Sequence, residues 1–277
     1  MQAQVNGTEL FYTTHGSGRP MLVMHGGLGL DHAYFRPWLD ELGDVAELIY
    51  YDHRGNGKSA RPASWEGITH ATWADDADAL RAKLGHDKII LYGHSYGGFL
   101  ALEYALRHGE HLDGLILSCT APALDYPEVI MANAQRRGTP EILQAVTAGL
   151  SNPTDSDEGY GALMGTIMPL YFKRYDPEIG RQIDAVSTYS GGAFRHSFTA
   201  CLPSYNVVSR LSEISAPTLI LSGHEDWITP PAQGGERLQA GIPGSQLVVF
   251  EESGHFPFIE EPERFNAVVK GWVRGLG

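Results

Sequence analysis

The sequence predicts an α/β fold in which a mostly parallel sheet is covered by helices on both faces. Six short apolar segments support this prediction, because near-continuous apolar runs are typical of strands buried on both faces. They cover residues 21–26, 46–52, 88–93, 112–118, 217–223 and 246–252. Segments with helical periodicity lie between them, and such alternation is the pattern of a parallel sheet flanked by helices.

Three helices are expected to pack on this sheet. Residues 70–85 (HATWADDADALRAKLG) carry their apolar residues on one stripe and end at Gly85. Residues 96–109 (YGGFLALEYALRHG) end at Gly109, and glycine is favoured just after a helix. The segment EEPERFNAVVKGWVRGLG at the end of the sequence is predicted to be an amphipathic helix.

The strand–helix alternation lapses between residues 121 and 206. This segment contains helical patterns and many aromatic residues but no clear strand. We therefore expect a core domain made of residues 1–120 and 207–277, and a helical cap over residues 121–206 that lies above the end of the sheet. The alternative is that these helices extend the core without approaching a site.

Charge and composition argue against several kinds of partner and location. The chain has 277 residues and a formal net charge of −13, which disfavours nucleic acid and anionic membrane surfaces as partners. We find no membrane-length apolar run and no signal-peptide pattern, so a cytoplasmic location is expected. Cys119 and Cys201 lack metal-ligand spacing and are expected to be buried free thiols. We expect a small-molecule substrate, no metal and no cofactor, and the oligomeric state stays open.

Gly93-His94-Ser95-Tyr96-Gly97 stands where a predicted strand meets a predicted helix. This pattern is typical of a nucleophile elbow, a sharp turn that lifts a serine hydroxyl clear of the sheet. Glycine at both flanking positions avoids collisions between the turn and its neighbours. Ser95 is therefore the candidate nucleophile, with an inert serine in a structural turn as the alternative.

A serine hydroxyl needs a base, and the base needs an acid that orients it. In proteins that have a nucleophile elbow, the acid and the histidine follow later strands of the sheet, in that order. Asp226 comes just after the strand predicted at 217–223, and His255 follows the next strand. Glu225 is the rival for the acid. Asp226 is preferred because it lies one step further into the loop.

Two backbone N–H groups are expected to bind the oxyanion. One belongs to Tyr96, directly after the nucleophile, and the other to the glycine-rich loop MHGGLGL. Gly27 is the preferred donor in this loop, and Leu28 is the alternative. His25 and His94 are expected to be buried residues that hold their own loops.

At these residues the sequence resembles the α/β-hydrolases. It is most similar to the proline iminopeptidase branch, which includes the tricorn-interacting aminopeptidases. The resemblance covers nearly the whole chain and is carried by HGGLG, YDHRGNGKS, GHSYGGFLALEYALRHGEHLDGLILS, APTLILSGHEDWITP and SGHFPFIEEPERF. It implies the α/β-hydrolase fold and a Ser95–His255–Asp226 triad.

The sequence departs from this branch where a substrate amine would be recognised. The family has a glutamate directly after the triad acid, and this chain has Trp227. A second family glutamate, in the cap, aligns with Arg195. Trp227, Arg195 and Phe194 are therefore the candidate substrate contacts, and they favour uncharged or anionic acyl groups over a free amine.

The expected function is hydrolysis of a small or medium carboxylic ester or lactone through an acyl-enzyme. The first alternative is an aminopeptidase that uses other carboxylates, namely Glu225, Asp155, Asp157 or Glu158. The second is a receptor of the same fold that binds a small ligand, which the intact triad disfavours.

Overall fold

The sheet has eight strands, and the computed structural model describes all of residues 1–277. In chain order the strands are β1 (Gln2–Val5), β2 (Thr8–Gly16), β3 (Arg19–Met24), β4 (Ala46–Tyr51), β5 (Ile89–His94), β6 (Leu112–Ser118), β7 (Thr218–Gly223) and β8 (Gln246–Phe250). Their spatial order is β1-β2-β4-β3-β5-β6-β7-β8. All pairs from β4 to β8 are parallel, and the two pairs that involve β2 are antiparallel. The predicted mostly parallel sheet is confirmed.

Strands β3 to β8 match the six apolar segments, because central strands such as β5 and β7 are buried at every residue. The antiparallel strands β1 and β2 were not predicted, since β2 alternates buried and partly exposed residues. A local pattern for them does exist. Asn6 and Gly7 connect the two strands and both have positive φ, at 45° and 71°, and Asn-Gly is the preferred pair for such a tight hairpin turn.

Ten α-helices complete the fold. They are α1 (His70–Lys83), α2 (Tyr96–His108), α3 (Pro127–Arg137), α4 (Pro140–Ser151), α5 (Asp157–Ile167), α6 (Pro177–Val186), α7 (Gly191–His196), α8 (Gly235–Gly241), α9 (Pro257–Glu260) and α10 (Pro262–Gly275). The three helices expected on the sheet are α1, α2 and α10. The helix α2 ends at Gly109 as expected, although the φ of Gly109 is −58° and not positive, and the chain continues into a 3₁₀ turn over Gly109–His111.

The five helices α3 to α7 all lie between β6 and β7. This segment rests on the loop that follows β3. The Tyr160 hydroxyl donates to the Gly27 carbonyl oxygen at 2.6 Å, and the Ser190 N–H donates to the Gly29 carbonyl oxygen at 2.7 Å. Its other attachment is to the loop after β7, where the Asn133 amide donates to the Trp227 carbonyl oxygen at 3.2 Å. The inserted helices therefore stand over the carboxyl ends of the parallel strands.

None of the ten helices combines the length and the apolar composition that a bilayer-spanning helix requires.

Candidate active site

Ser95 occupies a sharp corner between β5 and α2. Its φ of 56° and ψ of −124° lie in a region that residues with side chains rarely adopt. The flanking glycines are required by close packing. A Cβ on Gly93 would lie 2.6 Å from the Gly97 carbonyl oxygen, and one on Gly97 would lie 2.3 Å from the Met24 carbonyl oxygen. The corner thus holds the Ser95 hydroxyl at the end of the sheet.

His255 and Asp226 form a buried pair on the loops after β8 and β7. The Nδ1 atom of His255 lies 2.7 Å from Oδ2 of Asp226, and only 1% and 2% of these residues are exposed. The other oxygen of Asp226, Oδ1, accepts hydrogen bonds from the N–H groups of Ile228 and Thr229, and the Thr229 hydroxyl donates to Oδ2 at 2.7 Å. Asp226 is therefore fixed by its own loop.

The charge on Asp226 is stabilised by these contacts. Burial raises the pKa of the carboxyl, but the adjacent His255 imidazole and the hydrogen bonds from Thr229 outweigh it and hold the pKa below its ordinary value. Because an ionised carboxylate only accepts hydrogen bonds, the Nδ1 atom of His255 carries the proton. The Nε2 atom is then the basic nitrogen, and it has no hydrogen-bond partner.

Ser95 and His255 line the same cavity. Ser95 Oγ makes no hydrogen bond to His255 Nε2 in this structure, and such contacts often tighten only when substrate binds. The structure brings Ser95, His255 and Asp226 to one end of the sheet. An imidazole nitrogen without a partner, in the same cavity as a serine hydroxyl, has the chemistry of a general base for that serine.

Two of the three predicted oxyanion donors also line this cavity. Tyr96 is the first residue of α2, so its N–H has no carbonyl one turn back in the helix. The Gly27 N–H donates to no protein acceptor. The N–H of Leu28, the alternative donor, also has no protein acceptor, but Leu28 is fully buried and does not line the cavity. Gly27 therefore stays the preferred candidate.

The cavity has a volume of about 140 Å³ and is lined by 26 residues, most of them apolar. Not one of them is Asp, Glu, Lys or Arg. The inserted segment and its flanks supply a large part of the wall: Leu124, Ile130, Val146, Gly149, Leu150, Tyr160, Leu163, Met164, Ile167, Tyr171, Phe194, Phe198 and Leu202. A group that enters this space loses water without gaining an ion pair.

Of the three candidate substrate contacts, Trp227 and Phe194 line the cavity and Arg195 does not. Arg195 is exposed, and its guanidinium donates to the Pro153 carbonyl oxygen at 3.0 Å. The physical reason is helix geometry. Successive residues of α7 point about 100° apart, so a helix that turns Phe194 inward turns Arg195 toward solvent. Arg195 thus lies outside the cavity in this structure, and the structure gives no support to its proposed contact with the substrate.

Sequence reasoning did not find Tyr34 or Tyr160. The Tyr160 hydroxyl holds the carbonyl of Gly27, and the Tyr34 hydroxyl accepts a hydrogen bond from the Gly26 N–H at 2.8 Å. Tyr160 is 133 positions from its partner, and no local pattern marks such a contact. His94 is buried as expected, and both of its ring nitrogens have partners.

Two groups of side chains have metal-ligating atoms close together. His94, Cys119 and His255 form one, and Asp78, His108 and His111 form the other. In the first group both ring nitrogens of His94 are hydrogen-bonded. In the second the Asp78 carboxylate accepts hydrogen bonds from Arg81 and Tyr104. Neither group offers a full set of free ligand atoms.

Comparison with known proteins gives consistent results. A family model described as the alpha/beta hydrolase fold matches residues 19–262. A proline iminopeptidase from Saccharolobus solfataricus is 30% identical over 283 aligned positions, which cover 95% of this chain and 87% of that protein.

Solved structures agree in fold. An esterase from Exiguobacterium antarcticum superposes with a TM-score of 0.82 at 28% identity, over 98% of this chain and 97% of that chain. A protein described as an N-acyl homoserine lactone degrading enzyme gives a TM-score of 0.78 at 26% identity, over 98% of this chain and 100% of that chain. The resemblance to proline iminopeptidases is confirmed, and the chain belongs to the alpha/beta hydrolase fold family.

Proposed function

We propose that this chain is a serine hydrolase that cleaves an uncharged carboxylic ester or lactone through an acyl-enzyme. The observation that carries the proposal is the absence of Asp, Glu, Lys and Arg from the lining of the cavity that contains Ser95 and His255. An apolar wall with a few placed polar groups suits a neutral substrate, because a buried charge without a partner is costly. The similarity to an esterase and to a lactone-degrading enzyme supports the same class.

The mechanism follows from the positions of the hydrogen-bonding atoms. Ser95 Oγ attacks the carbonyl carbon while Nε2 of His255 takes the hydroxyl proton. Asp226 holds Nδ1–H of His255 and stabilises the imidazolium that forms. The N–H groups of Tyr96 and Gly27 stabilise the oxyanion, aided by the positive end of the α2 dipole. His255 then gives its proton to the leaving oxygen, and water releases the acid by the same steps.

The helices of residues 121–206 are proposed to form a cap that binds the substrate, above a core of residues 1–120 and 207–277. Support comes from their large share of the cavity wall and from their hydrogen bonds to the loop around Gly27. Phe194 and Trp227 are proposed as apolar contacts for the acyl or alcohol part. The cytoplasmic location and the absence of a nucleic-acid partner stay predictions.

An aminopeptidase is the competing assignment, and the proline iminopeptidase relative favours it. Its substrate would bring an ammonium group that needs a carboxylate. Glu225 pairs with Arg136 at 3.3 Å and Asp157 pairs with Arg61 at 3.0 Å. Asp155 and Glu158 are exposed. Because none of these acids lines the cavity, the geometry favours the ester or lactone.

The experiment that tests the proposal is a paired assay of p-nitrophenyl acyl esters and proline p-nitroanilide. The wild type is expected to hydrolyse short apolar esters and to leave the anilide intact, and Ser95→Ala should abolish ester hydrolysis. Efficient cleavage of the anilide with poor ester turnover would instead identify an aminopeptidase. Absence of both activities would favour the receptor alternative.

A further inference from the structure

A buried chain of hydrogen bonds connects the loop after β3 to His255. The Gly26 N–H donates to the Tyr34 hydroxyl oxygen at 2.8 Å, and this hydroxyl lies 2.7 Å from Nδ1 of His94. Nε2 of His94 lies 2.9 Å from the His255 carbonyl oxygen. Tyr34, His94 and His255 are each only 1% exposed. The chain thus joins the segment after β3, the end of β5 and the loop after β8, which are far apart in sequence.

The direction of every hydrogen bond in this chain is determined. An amide N–H can only donate, so the Tyr34 oxygen accepts from Gly26. The single hydroxyl proton of Tyr34 is then free to donate to Nδ1 of His94. A neutral His94 therefore carries its proton on Nε2, where it meets a carbonyl oxygen that can only accept. Burial, together with the nearby His255, lowers the pKa of His94 to about 3, which keeps this ring neutral.

Each residue of this hydrogen-bond chain is next to, or is, a residue of the proposed active site. Gly26 precedes the oxyanion donor Gly27, His94 precedes the nucleophile Ser95, and the last acceptor is the backbone of His255 itself. The Asp226 carboxylate restrains the His255 ring from the Nδ1 side. The other backbone restraint on this residue is its N–H, which donates to the Tyr171 carbonyl oxygen at 2.6 Å.

We infer that Tyr34 and His94 are positioning residues, which hold the general base and the oxyanion loop in register with Ser95. The inference rests on the proposed hydrolase function and adds a support that acts through the backbone of His255. Neither side chain transfers a proton during the reaction. Their effect is on the distance between the His255 imidazole and the Ser95 hydroxyl, which governs the rate of the chemical step.

Two substitutions of His94 separate this role from simple packing. His94→Gln places an amide N–H near the former Nε2 position and keeps a donor for the His255 carbonyl. His94→Asn keeps an acceptor near the Nδ1 position, for Tyr34, and cannot reach His255. We expect the Asn variant to lose up to about 100-fold in kcat with little change in KM. The Gln variant should retain most of kcat.

Tyr34→Phe tests the other end of the chain. It leaves the Gly26 N–H without an acceptor and Nδ1 of His94 without a donor, while Nε2–H of His94 can still donate to the His255 carbonyl oxygen. We expect kcat to fall about tenfold or more, again with little change in KM. Tyr51→Phe is the matched control, because the Tyr51 hydroxyl is also buried but has no hydrogen-bond partner.

The readouts are kcat and KM on a p-nitrophenyl ester, the melting temperature, and ¹⁵N NMR of the histidine side chains. Equal activity of the Gln and Asn variants would overturn the inference, as would a fall in melting temperature with kcat unchanged. An NMR spectrum with His94 as the Nδ1–H tautomer or the imidazolium at neutral pH would overturn it whatever the substrate. If the wild type shows no Ser95-dependent turnover, the proposed function fails. The tautomer of His94, and the change in the ¹⁵N shift of its Nδ1 when Tyr34→Phe removes the hydroxyl donor, then still decide whether the hydrogen-bond chain exists.

Discussion

Replacing Asp226 with asparagine should invert its hydrogen bond to His255, the proposed general base. Oδ1 of Asp226 accepts two backbone N–H groups, at 3.0 and 3.1 Å. The amide of Asp226→Asn must keep its oxygen there, because its NH₂ group cannot accept from them. The NH₂ group then occupies the former Oδ2 position, 2.7 Å from Nδ1 of His255, and donates to it.

This reversal selects the wrong tautomer of His255. With Nδ1 accepting, the neutral ring carries its proton on Nε2 and cannot take the proton of Ser95. In serine-hydrolase triads the equivalent change lowers kcat by about 10⁴-fold while the geometry is kept. At about 1.36 kcal/mol per factor of ten, this loss corresponds to about 5.4 kcal/mol of activation free energy. The effect on the melting temperature should be small by comparison, since shape and volume are conserved.

The assay is steady-state hydrolysis of a p-nitrophenyl ester, with the melting temperature measured in parallel. Glu225→Gln is the matched control, because Glu225 is the neighbouring acid and pairs with Arg136 at the surface. We expect it to stay within about twofold of the wild type, as surface ion pairs contribute little. A loss below tenfold in Asp226→Asn, or a larger loss in Glu225→Gln, would refute the reasoning.

Four further outcomes are expected. A serine-directed phosphonate should label the wild type once, at Ser95, which mass spectrometry of the labelled peptide checks against Ser95→Ala. Gly97→Ala should reduce the yield of folded protein, because the added Cβ would lie 2.3 Å from a backbone carbonyl oxygen. Circular dichroism of the purified variant checks whether it is folded. Phe194→Ala should raise KM for apolar esters, while Arg195→Ala, outside the cavity, should leave kcat and KM unchanged; equal effects would contradict the cavity assignment. The depressed pKa of Asp226 contributes stability above its unfolded pKa of about 3.9, and this contribution is lost as the pH falls through the lower folded value. The difference in unfolding free energy between wild type and Asp226→Asn should therefore shrink in acid urea titrations, and a difference that grows there would have the wrong sign.

The elbow and the buried acid–histidine pair were predictable from sequence because each lies at a strand end. A buried parallel strand is recognised in the sequence as an apolar run. The residues that follow the parallel strands all lie at the carboxyl edge of the sheet. Ser95, Asp226 and His255 follow β5, β7 and β8 in this way. The hairpin of β1 and β2 was not predicted, although its Asn-Gly turn is a local pattern. Its strands are half-exposed, so they do not form the apolar runs from which the other strands were predicted.

Other features depend on information that no local pattern contains. The side of α7 that faces the cavity is set by the rotation of the helix about its axis. Phe194 therefore lines the cavity and the adjacent Arg195 does not, a difference that the sequence pattern does not show. Tyr34 and Tyr160 act on partners 60 and 133 positions away. In the sequence these two residues cannot be distinguished from other core tyrosines, because their hydrogen-bond partners come close only in the folded chain.

The attachment of the inserted helices to the loop after β3 has a consequence for the range of substrate sizes. Tyr160 and Ser190 hold the carbonyls of Gly27 and Gly29, so a substrate large enough to displace these helices would also disturb the peptide units beside the proposed oxyanion donor. A bulky ester that props the helices apart would be bound and yet react slowly, so the size limit of this protein would be enforced in kcat as well as in KM.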